Sequence, residues 1–78
     1  MTPLSTAPGR LAANVMHFGR VLRHAGVPVG SDRIQLALRA LELGGLESRD
    51  DFHAVLAACL IDRHAHQELF DQAFSLFW

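Results

Sequence analysis

The stretch His24-Ala25-Gly26-Val27-Pro28-Val29-Gly30-Ser31-Asp32-Arg33 holds two of the six glycines of the chain and interrupts two helix-like patterns. It reads either as a glycine loop around a phosphate or as punctuation between two helices. A phosphate loop needs glycines followed by Lys-Ser/Thr at the start of a helix that comes after a strand. Here no strand pattern precedes, the chain has no lysine, and Pro28 removes a backbone N–H that such a loop would use. Punctuation accounts for each residue. Gly26 ends one helix, Pro28 holds Val27 extended, and Val27 or Val29 covers the end of the bundle. Ser31 or Asp32 caps the next helix, Asp32 and Gln35 resembling a capping box.

Working outward, apolar residues N-terminal to this stretch fall at Leu11, Val15, Phe18 and Leu22, with Ala12, Met16 and Ala25 beside them. That is helical spacing, and Arg10, Asn14, His17, Arg20 and His24 form the opposite face. Residues 1–9, with two of the three prolines, read as a loose leader to a helical domain over 10–78. C-terminal to the stretch, Ile34, Ala37, Leu38 and Leu41 make a second stripe. Leu36 and Leu43 lie off it, so this helix is expected to be apolar over more than one face and central. Gly44-Gly45 stops it. Ser48-Arg49-Asp50-Asp51 opens a third helix with a serine cap and first-turn acids, and Phe52, Val55, Leu56 and Cys59 face inward. Phase is lost around Asp62-Arg63-His64. A fourth helix carries Leu69, Phe70, Ala73, Phe74, Phe77 and Trp78. Strand and hairpin signals are absent. The fold class expected is all-α, a compact bundle of about four short helices.

Seventy-eight residues allow one domain, and half of them are apolar, which suits a packed core. The lone cysteine rules out an internal disulfide and fits a reducing cytoplasm. Seven arginines against eight carboxylates leave a formal charge of −1, which does not predict a nucleic-acid binder. No stretch approaches the roughly 20 apolar residues that span a bilayer, and no signal peptide is legible, so the expectation is a cytoplasmic module away from membranes.

Candidate chemistry is sparse. His64-Ala65-His66 invites a zinc site, but an HxH pair on a helix splays its rings apart. His17 and His24 are two turns apart, roughly 10 Å. Cys59 lies in an apolar run where a thiolate is disfavoured, and Asp50 and Asp51 read as first-turn acids and not as a catalytic pair. A helix-turn-helix would present Asp50 and Asp51 to DNA phosphates. No catalytic, cofactor or metal constellation emerges, and the chain is expected not to be an enzyme.

The run Asn14-Val15-Met16-His17-Phe18-Gly19-Arg20-Val21-Leu22-Arg23, then Ala25-Gly26-Val27-Pro28-Val29-Gly30 and Arg33, resembles the N-terminal helical region of CoxE-like proteins that carry a von Willebrand factor A domain. Ala37-Leu38-Arg39-Ala40-Leu41, Gly45-Leu46, Arg49-Asp50-Asp51-Phe52 and Leu69-Phe70-Asp71-Gln72-Ala73-Phe74 with Phe77-Trp78 agree, so the resemblance covers residues 11–78. It implies an N-terminal module followed by a von Willebrand domain whose Asp-x-Ser-x-Ser motif holds a metal; that motif does not occur here. It also implies work beside a MoxR-type AAA+ ATPase in maturing metalloenzymes such as carbon monoxide dehydrogenase. His53 departs from the pattern, where an aromatic such as Tyr is expected. So does Arg63-His64-Ala65-His66, in place of Arg-Pro-Glu-Asp.

The function expected is a non-catalytic protein-interaction module. Its partner would be the ATPase, a client metalloenzyme or its own von Willebrand domain. Arg20, Arg23 and Arg33 around the corner set by the opening stretch are the first candidate contacts. The apolar end Phe77-Trp78 is the second; it would dock tightly or continue into more protein. Two alternatives stand beside this. One is a self-associating module that buries Trp78 and the Leu36/Leu43 face against a second copy, and the other a small metal-binding domain using His64, His66 and Cys59.

Overall fold

A computed structural model describes residues 8–44 and 48–78 of the chain. Four α-helices follow in order: α1 (Pro8–His24), α2 (Ser31–Gly44), α3 (Arg49–Leu60) and, after a 3-10 turn at His64–His66, α4 (Gln67–Phe77). No strand occurs among the described residues, and the expected all-α bundle is the architecture observed. α1 begins at Pro8, within the 1–9 segment, because a proline in the first helical turn lacks only an N–H that would find no helical partner. Residues 1–7, and Gly45 of the expected Gly44-Gly45 stop, lie outside the described residues.

The stretch that sets the topology is a helix stop built from backbone. Gly26 takes a φ of +102°, the one positive φ among the described residues. Its N–H donates to the Arg23 carbonyl (3.1 Å), and the Val27 N–H donates to the Leu22 carbonyl (2.9 Å). Those are the paired bonds of a Schellman motif, closed by apolar contact between the residues at its two ends. Leu22 and Val27 are both buried, and Val29 joins them, so both valines cover the bundle's end.

α2 is capped by Gly30 and not by Ser31 or Asp32. The Gly30 carbonyl accepts from the Arg33 and Ile34 N–H groups at 3.1 and 3.2 Å, which places Ser31 already inside the helix. Asp32 lies in the first turn, where its charge meets the positive end of the helix dipole. Ser48 caps α3 as expected: extended at φ −150°, ψ 165°, its Oγ accepts from the Asp51 N–H at 3.1 Å.

The core runs through all four helices. Val15, Phe18 and Leu22 of α1 meet Ile34, Ala37 and Leu41 of α2, Phe52, Leu56, Cys59 and Leu60 of α3, and Phe70 and Phe74 of α4. No polar or charged side chain is buried with them among the described residues. Phe18 sits at the centre. Its ring lies 5.7 Å from Phe70, 6.3 Å from Phe74, 5.2 Å from Phe77 and 5.7 Å from Trp78, mostly edge-on, the geometry the ring quadrupole favours. α1 and α2 approach closely at Gly19, where an added Cβ would stand 2.5 Å from Ile34 Cδ1. α2 packs on both α1 and α3, but its second apolar face is not buried: Leu36 is 49% and Leu43 83% exposed. Both neighbours meet it on the Ile34/Ala37/Leu41 side, so the residues off that stripe are left outside.

Candidate protein-interaction surfaces

α1 brings Arg20 and Arg23 to one side of the bundle, against the first two turns of α2. With Met16, Ile34 and Leu38 they line a groove of about 370 Å³ between the two helices. Both arginines are exposed, and neither makes an ion pair among the described residues. The groove therefore has an apolar floor and two free guanidinium groups at its rim, a composition typical of protein interfaces. Gly19 leaves room for the Ile34 side chain at this crossing, and a side chain there would force Ile34 to shift.

Arg33 does not join them. The first turn of α2 directs it to Asp62 beyond the end of α3, with Nη2 to Oδ1 at 2.6 Å. Three arginines gathered at one corner thus resolve into a pair over the α1–α2 groove and a single residue tying α2 to the α3–α4 connection. Both partners of that tie are largely exposed, so it orients side chains more than it stabilises the fold.

Phe77 and Trp78 pack inward. Trp78 lies 4.8 Å edge-on to Phe52 and 4.7 Å from Phe77, and Phe77 also meets His17 at 5.6 Å. Both residues keep part of their surface in solvent. Among the described residues the buried Trp78 Nε1–H has no hydrogen-bond partner. Beside them, Val21, Leu69, Ala73 and Leu76 line an apolar groove of about 380 Å³ between α1 and α4, with Leu76 89% exposed at its edge.

His53 takes a position that sequence reasoning missed. Its ring stands edge-on to Phe70 (5.1 Å) and Phe74 (4.8 Å), and its Nε2 lies 2.7 Å from Asp71 Oδ1. Gln67 Nε2 donates to the same oxygen at 3.0 Å. The hydrogen bond from His53 is the main reason the Asp71 carboxyl is held below its ordinary pKa, with Gln67 adding to it. This links α3 to α4 where an aromatic residue was expected, the imidazole keeping the ring contact and adding a polar one. Arg49 completes the neighbourhood, its guanidinium 4.9 Å from the centre of the Phe74 ring.

Among the described residues no three His, Cys, Asp or Glu side chains are placed to share a metal ion. Cys59 is buried, and that burial pushes its thiol pKa up, against a smaller opposing effect of the Arg33 charge. No helix of the described residues is long and apolar enough to cross a membrane.

Comparison with known proteins gives one family. The CoxE N-terminal helical bundle domain matches residues 15–78, from the first core valine of α1 through the last residue of the chain. No curated protein and no solved structure matches significantly. Because the match spans most of the chain and describes the same helical architecture, the protein belongs to the family of CoxE N-terminal helical bundle domains.

Proposed function

We propose that this chain is a non-catalytic protein-interaction module of a CoxE-like protein, assisting a MoxR-type AAA+ ATPase in metalloenzyme maturation or complex remodelling. The observation that carries this reading is the family match over residues 15–78. The α1–α2 groove supplies a surface suited to it: Met16, Ile34 and Leu38 offer apolar area, and Arg20 and Arg23 offer bidentate donors to partner carboxylates. Co-expression with a MoxR-type ATPase from the same genome, followed by gel filtration with and without ATP, tests it. A co-eluting complex supports the reading. Separate elution in both nucleotide states at tens of micromolar counts against it.

A second reading, self-association, rests on the exposed Leu36 and Leu43 of α2. Trp78, already packed on Phe52 and Phe18, adds little to that face. Sedimentation decides: a monomer across the micromolar range removes the dimer.

A further inference from the structure

The Schellman loop between α1 and α2 and the connection between α3 and α4 meet at one end of the bundle. Between them lies a notch of about 500 Å³. Gly26, Val27 and Pro28 form one wall, Leu60 lies at its base, and Asp62, Arg63 and His66 form the other wall. The first wall is rigid, because two backbone hydrogen bonds close the loop and Pro28 has a fixed φ. The second wall is held by a turn in which the His66 N–H donates to the Arg63 carbonyl at 2.9 Å.

Charge around the notch does not balance. Asp62 is its one carboxylate, and that carboxylate is already engaged by Arg33 at 2.6 Å. The Arg63 guanidinium is left with no ion pair or hydrogen bond among the described residues, and His66 stands beside it half-buried. Arg33 thus neutralises the only acid lining the notch among the described residues and leaves one guanidinium uncompensated in a concave site. In a chain of net charge −1, this is a local positive excess over preformed walls. We propose that the notch binds a carboxylate side chain from an acidic peptide segment of a protein partner. Arg63 takes the carboxylate, His66 donates a second hydrogen bond, and the carbon stem of the bound residue rests on Pro28. The inference deepens the interaction-module reading by giving it a second contact, on the far side of the opening stretch from Arg20.

The test is an amide-resolved NMR titration of the chain alone with a capped pentapeptide of alternating glutamate and leucine, without any ATPase. Saturable shifts are expected at Gly26, Val27, Asp62, Arg63 and His66. Arg63→Gln should weaken binding about tenfold, the loss of one charge-assisted hydrogen-bond pair. Because the Arg63 guanidinium makes no ion pair or hydrogen bond among the described residues, the variant's remaining spectrum should match the parent. Arg20→Gln should leave peptide affinity unchanged. The proposal is overturned if the glutamine version of the peptide binds equally, if the shifts gather around Arg20 and Arg23, or if Arg63→Gln binds like the parent. Displacement of the peptide by an equal concentration of inorganic phosphate also overturns it, since the notch would then be a generic anion site. Failure here with an intact ATPase complex sinks the notch alone. Peptide binding without an ATPase complex sinks only the partner reading.

Discussion

Two glycine-to-alanine substitutions test whether the helix stop at Gly26 is what turns the chain. A Cβ at Gly26 would meet nothing within 4 Å, and a Cβ at Gly44 would meet nothing either. Sterically the two are alike, so contact energies predict no difference. Backbone geometry separates them, since Gly26 has φ +102° and Gly44 does not share the positive sign. Left-handed backbone costs a Cβ-bearing residue about 1–2 kcal/mol. A φ of +102° lies beyond the usual left-handed basin near about +57°, which moves the cost toward the upper figure. Alanine also lowers the entropy of the unfolded chain, an offset of about 0.4–1 kcal/mol. Gly26→Ala should therefore destabilise by about 1 kcal/mol or somewhat more. Gly44, the last residue of α2, should gain part of the ~1 kcal/mol by which alanine exceeds glycine in a helix, about 0.5 kcal/mol. Urea unfolding followed by the fluorescence of the single Trp78 resolves both, and the melting points should move in opposite directions. At about 4–8 °C per kcal/mol for a domain of this size, the pair should end well separated. If Gly26→Ala matches or exceeds the stability of Gly44→Ala, the left-handed stop is not formed and the reading of the loop is wrong.

Other outcomes follow from the core and its titratable groups. Phe18→Ala should remove about 3–5 kcal/mol of the roughly 4–12 kcal/mol available to a domain of this length; a loss below about 1 kcal/mol in urea unfolding would contradict the central place given to that ring. The lowered pKa of Asp71 means the fold prefers the ionised carboxylate, so its contribution is present above about pH 4 and lost as pH falls through the lower folded value. Melting curves between about pH 5 and pH 2 should then fall less steeply for Asp71→Asn than for the parent, and equal slopes would exclude the His53 link. Buried and with its thiol pKa raised, Cys59 should react with a thiol reagent far more slowly in the folded chain than in denaturant; immediate stoichiometric labelling of the native protein would place it outside the core.

Much of this architecture was legible in the residues because the signals are local. Gly26 followed by Val27-Pro28, with Leu22 four residues before the glycine, spells a helix stop whose hydrogen bonds and apolar contact all lie within six residues. Ser48 with Asp50 and Asp51 is equally local. The α2 cap is not legible in the residues because Gly30, Ser31 and Asp32 are all acceptable caps by type, and only the carbonyl geometry selects the glycine. Gly19 gave no sign of its role, since a lone glycine inside a helix reads as a small cost until Ile34 is placed against it. The His53–Asp71 link joins residues 18 apart on different helices, beyond any periodicity argument. Arg33 parted from Arg20 and Arg23 for the same reason: how α2 is turned about its axis is set by packing on α1 and α3, and Asp62 enters only through the third dimension.

The claim that this bundle works as an interaction module is tested most directly by adding a MoxR-type ATPase to the isotope-labelled chain and following each backbone amide. Saturable perturbation is expected along the helices flanking the α1–α2 groove, Met16 to Arg23 and Ser31 to Leu38, and its loss there on reversing the charge of Arg20 and Arg23 together. An unperturbed spectrum at saturating ATPase would contradict it, and so would perturbation of those two helices that survives the double charge reversal.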